Sequence, residues 1–314
     1  MKQGIVIKST GSWYHVRHEG EDIPCRIIGK FRLDDKKLTN PVAVGDEVEF
    51  IIEDTVQNFG LIKKILPRRN YVVRQSPRKK HALHLIASNV DMALLIVTIV
   101  EPKLKLGFID RFLLMTEPYN IPTTIVFNKA DLYNEEDRAI FEVLKSIYSD
   151  IGYTVLLTSA VSDEGLKELQ EELKGKTTLL AGQSGVGKSS LVNKIAPQID
   201  LKTQELSYRS GKGQHTTTFA EMHFFEAGAL IDSPGIKTLS FNYLEPQDVA
   251  HNFRELFDYS KSCKFGGNCM HRNEPKCAVK DAVEEGYISE LRYNNYLHLL
   301  EEIEAQNYWE RHKG

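Results

Sequence analysis

The chain is short of cysteine, carries no excess of either charge, and has no long apolar run. Its formal net charge is −3 over 314 residues, 26% of them charged. That balance argues against a uniformly basic nucleic-acid binder, although a local basic patch stays open. No apolar run approaches the ~20 residues that cross a bilayer. The N-terminus, MKQGIVIKSTGSWYHV, lacks the apolar core of a secretory leader. The expectation is a cytoplasmic protein with no membrane partner. Internal repeats and low-complexity tracts are also missing. The four cysteines are Cys25, Cys263, Cys269 and Cys277, and three of them fall between residues 263 and 277. In a reducing compartment such clustering favours a metal over disulfides.

What is present divides into three parts. Residues 1 to about 67 hold short β-rich runs, GIVIKS, WYHVRH, IPCRIIG, VGDEVEFIIE and GLIKKIL, separated by turn residues. Short strands at this spacing suggest a small barrel, and from pattern alone an OB-like and an SH3-like barrel both fit. Residues 68 to 85 are basic and weakly apolar and read as a linker or long loop. Strand and helix patterns then alternate: VDMALLIVTI, GFIDRFLLMTEPYN, IPTTIVF, NEEDRAIFEVLKSIYSDIG, YTVLLTSA, SDEGLKELQEEL, KTTLLAG. This rhythm implies a mostly parallel sheet with helices on both faces. After Gly235 it stops. EPQDVAHNFRELFDYSKS and the last stretch, SELRYNNYLHLLEEIEAQNYWER, look helical. The expected division is a barrel over 1–72, an α/β domain over 73–245 and a small helical domain over 246–314.

Five short motifs carry chemistry. Gly182, Gln183, Ser184, Gly185, Val186, Gly187, Lys188, Ser189 and Ser190 read GQSGVGKSS, a phosphate loop between a strand and a helix. Its backbone N–H groups face phosphates, Lys188 reaches the β- and γ-phosphates, and Ser189 ligates Mg²⁺. NKAD, from Asn128 through Lys129 and Ala130 to Asp131, selects guanine. The Asp131 carboxylate accepts from N1–H and the exocyclic amine, donors that adenine does not offer there. Asn128 is expected on the base's other edge and Lys129 over its ring. In TSA, Ser159 and Ala160 follow Thr158 at the end of the next strand, where the Ala160 amide can meet guanine O6. IDSPG supplies Asp232 for Mg²⁺ and Gly235 as a γ-phosphate sensor. GKGQHTTTF supplies switch threonines, of which Thr217 is expected on Mg²⁺ and Thr216 and Thr218 read equally as loop residues. The order is base, base, phosphate, switch, switch, whereas Ras-like GTPases meet the phosphates first. Cutting such a chain between its third and fourth sheet strands and joining its ends gives this order, so the domain reads as a circularly permuted α/β P-loop GTPase.

The second constellation is Cys263, Cys269, His271 and Cys277, spaced C-x5-C-x-H-x5-C. Three thiolates and an imidazole make a closed tetrahedral set, the pattern of one structural zinc per chain. Cys25 reads as a packing residue. His15, His18, His81, His84 and His223 have no metal-like partners in sequence. The basic run with Arg68, Arg69, Arg74, Arg78, Lys79 and Lys80 reads either as a solvated linker or as a phosphate-binding strip, with Tyr71 able to stack on a base. The residue after Gly235, where Ras-like proteins often place a water-orienting Gln, is Ile236. His215 is the polar alternative for catalysis, and a switch-surface or RNA-contacting histidine is its equal competitor.

Permuted motifs, an N-terminal barrel and a C-terminal Cys/His cluster together resemble the ribosome small-subunit-dependent GTPase A family, over essentially the full chain. The resemblance implies an OB barrel, a permuted GTPase domain and a zinc domain. It implies GTP hydrolysis stimulated by the small ribosomal subunit, late in that subunit's maturation. The expected partners are the small subunit with its rRNA, and GTP or GDP. The chain is expected to act as a monomer. DSPGIKTLSFNYLEP leads straight from the second switch towards the cysteines, so nucleotide state is expected to bias the zinc region through a short tether. The barrel is expected to be less directly coupled.

Overall fold

The computed structural model describes residues 1–11, 13–27, 40–53, 59–75, 83–105, 107–199, 220–232 and 244–311. Strands β1 (Lys2–Ser9), β2 (Tyr14–His18), β3 (Glu21–Ile27), β4 (Glu47–Ile52) and β5 (Gly60–Ile65) close in the order β1-β2-β3-β5-β4, with β4 returning to β1. β3 and β5 run parallel, and the other pairs are antiparallel. This five-stranded Greek-key closure is the expected OB barrel, which an SH3-like one matches almost as well on strand pattern alone. Val6, Tyr14, Val16, Cys25, Val48, Phe50 and Ile62 fill it. Cys25 is buried there, the packing residue expected.

Within the stretch expected as a linker or long loop, β6 (Tyr71–Gln75) and β7 (Leu83–Ser88) pair antiparallel as the two strands of a hairpin that packs on the barrel, so the expected boundary at 72/73 falls inside a strand. The basic run is divided accordingly. Arg68 donates from Nε and Nη2 to the fully buried Asp46, both at 2.7 Å, and Ser88 Oγ donates to the same carboxylate at 2.6 Å. Arg69 pairs with Asp91 at 2.9 Å. Tyr71 lies against Tyr119, ring centroids 4.7 Å apart, instead of presenting a face for a base. These side chains hold the barrel to the hairpin and the hairpin to the α/β domain. Arg78, Lys79 and Lys80 lie outside the described residues.

The second half of the sheet runs β10 (Thr154–Leu157), β9 (Thr123–Phe127), β8 (Met92–Val97), β11 (Lys176–Gly182), β13 (Gly228–Asp232), β12 (Glu221–Phe225). All are parallel except β12, which is antiparallel to β13. β8 shows why its sequence is a continuous apolar run. Met92, Leu94 and Ile96 pack with Leu169 and Leu173 of α3 (Leu166–Leu173) and Leu191 and Val192 of α4 (Lys188–Ile195). Ala93, Leu95 and Val97 face the other way, towards α1 (Gly107–Thr116) and α2 (Glu135–Asp150). With both faces covered, no polar position survives in the strand. α2 starts where its sequence says. Asn134 accepts from the Asp137 amide and Asp137 accepts from the Asn134 amide, a reciprocal cap. Phe141, Leu144 and Tyr148 then recur on its buried side. Because strand order runs outward in both directions from β8 and β11, the crevice at their carboxyl ends is the topological switch point where α/β sheets bind ligands.

The C-terminal helices are α5 (Pro246–His251), α6 (Arg254–Ser260), α7 (Ala278–Glu284) and α8 (Glu290–Arg311). The single helix expected over 245–262 is broken at Asn252–Phe253. These helices share one apolar core with α1 and α2, in which Phe112 and Tyr148 join Phe253, Leu256, Tyr296 and Leu300. At the seam Arg292, 2% exposed, grips Glu255 with Nε at 2.7 Å and Nη2 at 3.0 Å, and Asp110 of α1 with Nη1 at 2.5 Å. Tyr148 Oη and Asn295 Nδ2 also donate to Asp110. The tether expected to carry nucleotide state from Asp232 towards the cysteines runs through residues 233–243, which lie outside the described residues. The barrel, expected to be the less coupled part, is joined to the GTPase sheet through β1 and β12 at Lys8 and Glu221.

Candidate functional site

The phosphate loop leaves β11 at Gly182 and enters α4 at Lys188. Two glycines are dictated by their neighbours. Gly182 has φ +144°, and a Cβ there would sit 2.2 Å from the Ile96 carbonyl oxygen; Gly187 has φ +89°, and a Cβ would sit 2.5 Å from Asn128 Nδ2. Val186 is buried and anchors the loop in the core beneath α4. Lys188 Nζ donates to the carbonyls of Gly182 and Gln183, both at 2.9 Å, which curls the ammonium back over the loop. Ser184, Gly185 and Ser190 are exposed along the rim, and Ser189 is half-buried in the first turn of α4.

The residues expected to select guanine stand at the same edge. Asn128 directly follows β9, 1% exposed, with both ends of its amide engaged: Nδ2 donates to the Val186 carbonyl at 2.9 Å, and Oδ1 accepts from Thr158 Oγ1 at 3.1 Å. It ties the phosphate loop to the strand carrying TSA, a role that its place in NKAD did not reveal. Lys129 has φ +68° and donates to the Glu101 carbonyl at 2.7 Å. The Ala130 amide donates to the Thr158 carbonyl at 3.0 Å. Asp131 is exposed, and its carboxylate accepts from Ser159 Oγ. The amides of Val161 and Ser162 donate to that same oxygen at 3.1 and 3.0 Å. With two N–H groups on its oxygen, the buried Ser159 hydroxyl directs its proton to Asp131 and fixes the carboxylate's orientation. Ala160 follows, half-buried, on the loop beyond β10. Tyr133 and Glu101 are supports that sequence reasoning missed, and Thr158, read only as the first residue of TSA, is a third. Tyr133 Oη donates to the Asn128 carbonyl at 3.0 Å. Glu101 acts through a backbone carbonyl, which leaves no mark in the sequence.

Asp232 closes the edge at the end of β13. Burial raises its carboxyl above the ordinary range, Lys188 and His223 pull it down, and Glu221 pushes it up. His215, Thr217 and Gly235, with Thr216, Thr218 and Ile236, lie outside the described residues. Ser189 and Asp232 offer one hydroxyl and one carboxylate, a sparse set of hard oxygen donors.

The four metal-ligand candidates come together, all buried, with their ligand atoms within 4.8 Å of one another. Cys263 and Cys277 sulfurs are 3.9 Å apart, and Cys269 and Cys277 3.8 Å; His271 Nδ1 is 3.4 Å from Cys277 and 3.7 Å from Cys263. A tetrahedron with metal–sulfur bonds of about 2.3 Å has edges of about 3.8 Å, so the cluster matches a structural zinc in size and ligand type. Burial lowers the His271 imidazole and so favours the neutral, ligating form. The loop is held from outside. Tyr293 and Tyr296 donate to the carbonyls of His271 and Met270, and Glu274 accepts from the amides of Met270 and Arg272.

The motif order is that of a rejoined chain, while the sheet order stays intact because β10, α3 and β11 bridge the former ends. The fold and site therefore define a circularly permuted P-loop GTPase carrying an OB barrel and a Cys3His centre. The RsgA N-terminal domain family matches residues 3–62 and the RsgA GTPase family matches residues 65–242. The chain belongs to the RsgA GTPase family. It is 47% identical over 308 residues to the small ribosomal subunit biogenesis GTPase RsgA of Phocaeicola vulgatus, covering 98% of both chains. It is 48% identical to that of Flavobacterium psychrophilum, covering 95% of this chain and 92% of the relative. The crystal structure of YjeQ from Thermotoga maritima aligns with a TM-score of 0.76 at 37% identity, over 96% of this chain and 98% of that one. YloQ, described as a circularly permuted GTPase, aligns with a TM-score of 0.74 at 33% identity, over 98% and 96%.

Proposed function

We propose that this protein hydrolyses GTP while bound to the small ribosomal subunit and its rRNA, late in that subunit's maturation, and leaves after hydrolysis. The observation that carries the guanine part is the Asp131 carboxylate, oriented by Ser159 beside a phosphate loop tied to the same strands through Asn128. The relatives' names support the ribosomal part. Among the described residues no helix is long and apolar enough to cross a membrane, which suits work in the cytoplasm. The working units are the barrel with the β6–β7 pair that packs on it, the GTPase domain from β8 onward, and the zinc-bearing helices, 246–314. Multiple-turnover hydrolysis with purified small subunits, large subunits or none tests the proposal. Stimulation by small subunits alone is expected, and equal rates in all three would sink it.

In this reading the loop amides and Lys188 cradle the β- and γ-phosphates. Ser189, Thr217 and Asp232 would hold a magnesium ion, which usually keeps several waters and takes few protein ligands. When bound it would neutralise charge on the phosphate oxygens. Lys188 would add a second positive charge to them, and Gly235 would sense the γ-phosphate. His215 orients the attacking water. His215→Ala should lower kcat ~10²-fold and change KM less than about twofold, because the lost interaction is made in the transition state. Wild-type turnover on saturating small subunits would remove His215 from catalysis.

Asp131→Asn should weaken GTP binding by ~10²-fold or more, the value of two charge-assisted hydrogen bonds. It should favour xanthine nucleotide, whose C2 oxygen accepts from the new amide. Titration with both nucleotides measures the switch, and unchanged GTP affinity would refute the clamp.

A further inference from the structure

The barrel meets the GTPase sheet on its edge strand. β1 and β12 share one registered pair, Lys8 with Glu221, and their side chains form an ion pair at 2.8 Å. The Arg17 guanidinium lies over the Phe224 ring, 4.8 Å from its centroid, a second hold on the same strand. Ile7 and Met222 enter one common core. On the other side of β12, Glu221 is registered directly opposite Asp232 of β13.

Residues directly opposite on adjacent strands project from the same face, with Cβ atoms about 5 Å apart. Lys8, Glu221 and Asp232 therefore form a row across three strands, from the barrel to the end of β13, with charges plus, minus, minus. Two carboxylates facing each other repel, and Glu221 is among the groups that push the Asp232 carboxyl up. Lys8 is the cation that the barrel brings to this row.

We infer that Lys8 and Glu221 are positioning residues for the magnesium side of the nucleotide site, through which the barrel sets the negative charge felt at Asp232. The inference rests on the reading of Asp232 as a magnesium carboxylate. With the pair intact, Lys8 offsets part of the Glu221 charge that reaches Asp232. Without Lys8, the Glu221 charge adds to that of Asp232 and attracts a divalent ion more strongly. Without Glu221, the Lys8 charge opposes it. An anionic partner that draws Lys8 from Glu221 acts in the first direction, so occupation of the barrel and grip on the nucleotide are linked.

The test is the Mg²⁺ concentration giving half-maximal binding of a fluorescent GDP to the full chain, with melting temperature recorded beside it. Lys8→Met should lower that midpoint by about threefold, and the isosteric Glu221→Gln should raise it by about threefold, for a unit charge screened by water and salt at this range. The double variant should return close to wild type, because the pair removed is neutral, and Lys8→Arg should match wild type. A joint that only braces the fold would move the melting temperature and leave the midpoint still, or shift it alike in both single variants. Either result overturns the inference. Asp232→Asn separates the two readings. If it raises the midpoint while Lys8→Met and Glu221→Gln do not move it in opposite directions, only the inference fails. If it leaves the midpoint unmoved, the magnesium reading of Asp232 fails and the inference with it.

Discussion

Cys269→Ser is expected to empty the metal centre and unfold the C-terminal helices. The cluster sits in the same core as Tyr296 and Phe253, so its collapse exposes apolar surface far beyond the four ligands. Structural zinc supplies folding energy outright, about 10 kcal/mol or more in small zinc modules. A ligand present at a thousand times its Kd stabilises by about 4 kcal/mol. The loss should appear as a fall from one zinc per chain towards none, with a melting transition that becomes lower and broader. The sign with pH follows from the thiols. Burial pushes the Cys277 thiol up to about 12 and raises that of Cys269, so a metal must displace protons near neutrality. The metal's contribution is therefore present at higher pH and lost as pH falls, and sensitivity to a chelator should rise as pH falls. Wild-type protein that contains no zinc when reduced, or a variant with full zinc and an unchanged transition, would refute the assignment.

Arg292→Met should cost about 3–5 kcal/mol, because it leaves Asp110 and Glu255 buried at the seam without their shared cation. Asp110 keeps Tyr148 and Asn295, whereas Glu255 loses both of its guanidinium bonds. Lysine is a poor substitute, since the pairing with Glu255 is a two-pronged fork that a point charge does not reproduce. Arg292→Met combined with Asp110→Asn and Glu255→Gln should recover part of the loss, because no bare charge is then buried. Denaturant unfolding of the three proteins reads the difference. A single variant within about 0.5 kcal/mol of wild type would mean that the seam opens to water and that the zinc region is free to move.

The chemistry was legible in the sequence because it rides on contiguous residues. GQSGVGKSS carries its own glycines and lysine between a strand and a helix, and NKAD, TSA and the Cys3His set bring their own functional groups. Periodicity placed the buried strands and the capped helix for the same local reason. The hairpin over 71–88 was not legible, since a basic stretch with weak alternation reads as solvated until Asp46, Asp91 and Tyr119 are brought against it.

By itself the sequence determined a permuted guanine-nucleotide site, a Cys3His centre and a small barrel ahead of them. Only the tertiary structure decided which barrel it is, since the parallel pairing of β3 with β5 joins distant segments. It likewise decided that Asn128 braces the phosphate loop, that Arg68 is a buried counterion, that Arg292 locks the zinc region to α1, and that the barrel meets the GTPase sheet at Glu221. Each of these pairs residues far apart in the chain. Charge and hydrogen-bonding capacity are written into each residue type, but the partner depends on which surfaces the fold brings together.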